Sequence, residues 1–139
     1  MQQTIAFMSY NYLPLDSKPL HFQQIKHLLD FDQQVSITFD AHEKILACRN
    51  FVDKKMKDSE SKYYGVNTGF GYLQNVQISA DQIEQLQYNL IVSHACGLGE
   101  EVPEPIVKLM MMLKIKQLSY GNSGVHINTV IRLMDMYNQ

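Results

Sequence analysis

Tryptophan is absent from the 139 residues, and cysteine occurs only twice, at Cys48 and Cys96. Two distant thiols in a chain with eight methionines do not form a disulfide framework. That usage suits a reducing compartment, and the expected location is cytoplasmic. An excess of charge is lacking too: 12 Lys and Arg against 14 Asp and Glu leave a net charge of −2. Without a basic field, a nucleic-acid partner is not expected. No run approaches the roughly 20 apolar residues that span a bilayer. The opening "MQQTIAFMSYNYLPLD" has no basic start followed by an apolar stretch, so neither membrane span nor signal peptide is expected. His21, His27 and His42 share no ligand spacing, and His94-x-Cys96 has no partners, so no metal site is expected. Nor is there a repeat or a low-complexity tract. Within these exclusions stands one segment, 1–139, long enough to bury a core without staples.

What is present reads as mainly α. Residues 1–20 hold no clear period, and Pro14 and Pro19 make them an irregular or extended arm, bounded at 1–18. Phe22, Ile25, Leu28 and Leu29 recur at helical spacing, and "VSITF" alternates as a short strand does. Asp40 with Glu43 suggests a capping pair for a helix running to about Lys57, its stripe being Ile45, Cys48, Val52 and Met56. Ser79 with Gln82 repeats that pattern before a helix with Ile83, Leu86, Leu90 and Ile91 facing inward, closing near Gly97. Pro105 opens a helix that is apolar on nearly every side, broken by Lys108, Lys114, Lys116 and Gln117. A last helix is striped by Ile127, Val130, Ile131 and Met134. These two apolar helices, 105–118 and 125–137, need cover, which points to a homo-oligomer or to further chain.

Between the helical stretches lies "YYGVNTGFGYLQ", with three glycines and four aromatics in twelve positions. Gly65, Gly69 and Gly71 follow neither the dinucleotide nor the P-loop pattern. Together with Asn67 they permit successive tight turns with positive φ. Read alone, Tyr63, Tyr64, Phe70 and Tyr72 either anchor a structural turn or line a pocket.

The loop belongs to an ordered series: "YYGVNTGFG", "LQYNLIVSHACGLG" and "LMMMLKIKQLSYGNSGV". Over roughly residues 18 to 139 this series resembles the N-terminal part of the aromatic amino acid ammonia-lyases, most of all the histidine ammonia-lyase branch. The resemblance implies the helical part of the ammonia-lyase fold. It implies that Gly65, Asn67, Thr68, Gly69, Phe70 and Gly71 form a mobile lid loop, and that Tyr64 rather than Tyr63 is catalytic. Tyr64 would remove a proton from the β-carbon of an aromatic amino acid. A free phenol has a pKa of about 10, so that role needs a site that stabilises phenolate. The pair Ser93-His94 looks like the histidine type, implying that both residues bind substrate. His94 can exchange hydrogen bonds with an imidazole, as leucine cannot. A histidine at a helix C-terminus is otherwise an ordinary partner of the helix dipole.

Family members use 4-methylidene-imidazol-5-one (MIO), an electrophile cyclised from an internal Ala-Ser-Gly, to eliminate ammonia and give an unsaturated acid, urocanate from histidine. This chain contains no Ala-Ser-Gly, so no cofactor is expected within it. Asn122-Ser123-Gly124 is a tempting substitute, but "GNSGV" matches a different family segment, and Val-His-Ile-Asn follows where Asp-Leu-Ala-Pro would. Ser123 reads instead as a helix N-cap hydroxyl. His126 stands where many members carry arginine. Two readings follow. One is a truncated lyase piece, inactive alone, that supplies Tyr64 and His94 to a site completed elsewhere. The other is a free-standing helical module that self-associates through its apolar helices.

Overall fold

Leu15, Val35 and Leu28 are buried together where two short strands and a helix meet, and this nucleus organises the front of the chain. The computed structural model describes residues 12–57, 61–76 and 78–139. In chain order the elements are β1 (Tyr12–Leu15), α1 (Phe22–Asp30), β2 (Gln34–Ile37), α2 (Phe39–Lys57), α3 (Ile83–His94), α4 (Glu104–Ser119) and α5 (Ile127–Tyr137). Single turns of tighter helix lie at Gly71–Leu73 and Ala80–Gln82. The described residues fall into two compact units, one formed by the chain up to Lys57 with Val102–Gln139, the other by the chain between Asp58 and Glu101.

In the first unit β1 and β2 pair in parallel, Leu13 opposite Val35 and Leu15 opposite Ile37. Parallel neighbours require a crossover, and α1 supplies it. The arm expected over 1–18 thus contains a strand at Tyr12–Leu15, while residues 1–11 lie outside the described ones. Asn138 caps the exposed edge of β2. Its side-chain oxygen accepts from Val35 N at 2.9 Å, and its Nδ2 donates to Val35 O at 3.0 Å, as a third strand would. Ile45, Met112, Ile115, Leu118 and Val130 extend the core across α2, α4 and α5.

Several local readings need correction. Thr38, not Asp40, caps α2, because its Oγ1 accepts from Ala41 N at 3.2 Å. Asp40 sits within the first turn, where Lys44 donates to it at 2.7 Å. Ser79 makes no side-chain cap, and a tight turn separates it from α3. His126, not Ser123, caps α5: its ring nitrogen accepts from Asn128 N at 3.3 Å. Ile91 faces outward, as do Ile106, Met110 and Leu113 on α4. Lys116, read as a polar interruption, is 6% exposed. Its ammonium is satisfied by the carbonyls of Asp16 and Lys18 and by the Asp16 carboxylate, so one buried cation ties the turn after β1 to α4.

The last turn between helices is held closely. Gly121 and Gly124 take φ of +70° and +68° and approach α2 at Lys44 and Val52. The Gly124 carbonyl accepts from Arg49 Nη1 at 3.3 Å. The second unit is built differently. Its buried positions among the described residues are Thr68 and Gly69, and α3 buries none of its residues.

Candidate active site

The second unit contains the glycine loop and the helix that ends in Ser93 and His94. Asn67 braces the loop from three directions. Its Oδ1 accepts from Tyr63 N at 2.7 Å, its Nδ2 donates to Ser61 O at 3.0 Å, and its carbonyl accepts from Ile78 N at 3.1 Å. The backbone turns back on itself through Val66 N and Asn67 N, both donating to the Tyr63 carbonyl. Gly65 makes that turn possible at φ +73°, a conformation costly for any residue with a Cβ. Gly69 N donates to Val76 O at 3.1 Å and closes the far side of the loop. Thr68, 1% exposed, points inward, its hydroxyl on the Gly69 carbonyl at 3.0 Å.

Tyr64 points the other way and is 65% exposed. Phe70 meets its ring edge-on, with centroids 6.1 Å apart. That contact steadies the ring and leaves its oxygen alone: among the described residues nothing hydrogen-bonds to the Tyr64 hydroxyl. The division of labour is physical. Asn67, Thr68 and Gly69 satisfy the loop's own backbone, so Tyr64 is not needed to hold it.

His94 and Ser93 finish α3. Nδ1 of His94 lies 2.8 Å from the Leu90 carbonyl, and Ser93 Oγ lies 3.0 Å from that same oxygen. Both side chains thus fold back onto a carbonyl three and four residues earlier in the same helix. No hydrogen bond or ring contact joins Tyr64 to His94 among the described residues. Asn122, Ser123 and Gly124 sit in the other unit. Ser123 Oγ accepts from Val125 N at 3.3 Å, a local turn bond, and the Gly124 carbonyl is engaged by Arg49. Such a turn, with no alanine, does not fit the precursor of a cyclised electrophile. An open groove of about 720 Å³ between α4 and α5, lined by Leu118, Val125, Leu133 and Met136, holds none of the proposed site residues. Among the described residues, no three His, Cys, Asp or Glu side chains converge as a metal site, and no helix is long and apolar enough to cross a membrane.

A profile of the aromatic amino acid lyases matches residues 20–139. The chain belongs to that family. Among curated proteins, histidine ammonia-lyase of Natranaerobius thermophilus is 38% identical over 125 residues, which is 90% of this chain and 24% of the relative. The enzyme of that name from Legionella pneumophila (strain Lens) is 40% identical over 131 residues, covering 94% and 26%. Among solved structures, histidine ammonia-lyase of Trypanosoma cruzi superposes with a TM-score of 0.78 at 30% identity, covering 91% of this chain and 25% of that one. An ergothionase from Treponema denticola, at TM-score 0.84 and 24% identity, shares the fold. This aromatic amino acid lyase chain spans about a quarter of the length of those relatives.

Tyr64 and His94 stand out in the sequence as motif positions, but the bracing of the loop by Asn67 does not. The only signal for it was an asparagine four residues after Tyr63, a spacing that many turns share.

Proposed function

We propose that this segment carries the proton-abstracting and substrate-reading side chains of a histidine ammonia-lyase, and that its elimination of ammonia from histidine to urocanate is completed by residues outside it. The observation that carries the reading is Tyr64: an exposed phenol with no hydrogen-bond partner among the described residues, on a loop braced without it. A proton acceptor on a lid must be free to meet its substrate, and an anchor would be tied down. Tyr64 would take the β-proton. Gly65, Asn67, Thr68, Gly69, Phe70 and Gly71 would close over the substrate and exclude water. Ser93 and His94 would recognise the imidazole. The relatives that share this front portion bear the matching name at 38% and 40% identity, which supports histidine over other aromatic amino acids.

MIO would supply the electrophile that draws off the amine. The residues described here do not fit its precursor, so it belongs to another stretch of polypeptide. The outward face of α4, with Ile106, Met110 and Leu113, supports assembly with further copies or further chain, and a cytoplasmic enzyme is the setting that fits.

Co-expression of residues 1–139 with the remainder of a histidine ammonia-lyase tests the proposal, with urocanate followed by ultraviolet absorbance. Product should form with both pieces and not with either alone, and a flat trace from a soluble complex of the two refutes it. Within the active complex, Tyr64→Phe should cut turnover at least ~100-fold while leaving assembly unchanged.

A further inference from the structure

The polarity of the His94 edge follows from its neighbours. Nδ1 lies 2.8 Å from the Leu90 carbonyl oxygen and 3.0 Å from Ser93 Oγ. A backbone carbonyl can only accept, so the ring proton must reside on Nδ1. Ser93 agrees with that assignment: its hydroxyl proton goes to the same Leu90 oxygen at 3.0 Å, leaving a lone pair turned toward Nδ1–H. In a neutral imidazole the second nitrogen is then a bare acceptor. Nε2 of His94 has no hydrogen-bond partner among the described residues, and the side chain is exposed.

We infer that His94 is held as the Nδ1–H tautomer by the Leu90 carbonyl and Ser93, so that it presents Nε2 as an acceptor and takes a ligand edge carrying an N–H. Ser93 is then a positioning residue that sets which nitrogen faces outward, and need not touch the ligand itself. The ligand half of this inference rests on the proposed role of His94 in substrate recognition, whereas the tautomer stands on geometry alone. An imidazole substrate would meet His94 with its protonated nitrogen and keep its bare nitrogen elsewhere. A ring that offers only an acceptor there would place two lone pairs face to face.

Nitrogen-edited NMR of the 139-residue chain reads the tautomer directly, with the His94 signals assigned by their loss in His94→Gln. Neutral His94 should be protonated at Nδ1, and Ser93→Ala should move population toward the Nε2–H form. A dominant Nε2–H form in the unaltered chain overturns the inference, and an unchanged population in Ser93→Ala overturns the role of Ser93. In the two-piece enzyme, L-histidine is compared with its two ring N-methyl isomers. One isomer should lose at least about tenfold in kcat/KM and the other should not, through loss of one charge-neutral hydrogen bond. Equal values for both isomers would mean that His94 only closes the helix, and would overturn the ligand half. Failure of the two-piece enzyme to turn over histidine at all would refute the proposed function, and the NMR result would still decide the tautomer.

Discussion

Replacing Gly121 by alanine should be among the most damaging single-methyl changes in the chain. Two costs combine. The residue sits at φ +70°, where a side chain is disfavoured by about 1–2 kcal/mol. Stiffening the unfolded chain returns about 0.4–1 kcal/mol of that, so the conformational part nets about 1 kcal/mol. The second cost is steric. A Cβ at this position would lie 2.6 Å from Lys44 Cβ, 2.7 Å from Lys44 C and 2.8 Å from Lys44 O. Carbon atoms in contact sit about 3.5–4.0 Å apart, so the turn and α2 must separate by about 1 Å. Overpacking of that kind costs about 1–3 kcal/mol, and two of the three atoms belong to helical backbone that cannot rotate away. The sum is about 3 kcal/mol. With a urea dependence of roughly 1.5 kcal/mol/M, the unfolding midpoint should fall by about 2 M.

Two companions separate the parts. Asparagine tolerates the left-handed region, so Gly121→Asn should retain chiefly the steric loss, about 2 kcal/mol. Gly124→Ala meets Val52 Cγ2 at 2.8 Å, a side-chain atom that can be deleted. Val52→Ala should therefore recover about 1 kcal/mol in the Gly124→Ala background, read as coupling in a double-mutant cycle. A loss below about 1 kcal/mol for Gly121→Ala would show that the turn does not rest on α2, and the reasoning would fail.

Lys116→Met should cost about 2–3 kcal/mol in urea denaturation, because the part-buried carbonyls of Asp16 and Lys18 lose their cation and Ser119 Oγ alone stays on the Asp16 oxygen. Asp16 accepts from Lys18 N at 2.9 Å, and that bond, with the nearby Lys116 charge, holds its carboxyl below the ordinary 3.8. Its contribution to stability is present above about pH 4 and is lost as pH falls through the lowered value, so Asp16→Asn should flatten the acid limb of the stability curve. Tyr137 behaves in the opposite sense: burial, then the Asp32 carboxylate, push its phenol up to about 12, and its hydroxyl donates to Gln33 O at 3.2 Å. Its contribution is complete below the free phenol's 10.0 and is lost as pH climbs toward 12, so Tyr137→Phe should remove that alkaline slope.

The helices of the first unit were legible because burial there follows a period. Leu28, Ile45 and Val130 fall where the 3.6-residue stripe places them, and the structure buries all three. The ends of the helices were less legible. Asp40 and Thr38 are both good caps by residue type, and only the position of the chain arriving from β2 decides for Thr38. β1 escaped recognition for a related reason. A strand of four residues containing Pro14 carries too little alternation, and its pairing depends on α1 returning the chain to a parallel register. Lys116 was misread because a lysine interrupting an apolar run normally marks solvent. Nothing local announces that two carbonyls one hundred residues earlier will close around it.

The candidate site divides along the same line. Its residue types were readable because chemistry constrains identity: a phenol for the proposed proton transfer, an imidazole for the proposed ring recognition, glycines where the backbone must turn left. What each residue leaves free was not readable, because that depends on what its neighbours satisfy. Asn67 takes the Tyr63 amide and the Ser61 carbonyl, so Tyr64 is released from structural duty. Leu90 takes the Nδ1 proton of His94, so Nε2 is released as an acceptor. In both cases the proposed function uses the one polar atom that the local hydrogen-bond network does not consume. A chain that assigned Tyr64 to bracing its loop would gain about 1 kcal/mol for the added bond and leave no unbonded phenol for the proposed proton transfer. The loop's three glycines and its one asparagine, Asn67, are the sequence trace of that arrangement. It lets backbone and amide groups do the holding, so that the aromatic ring need not.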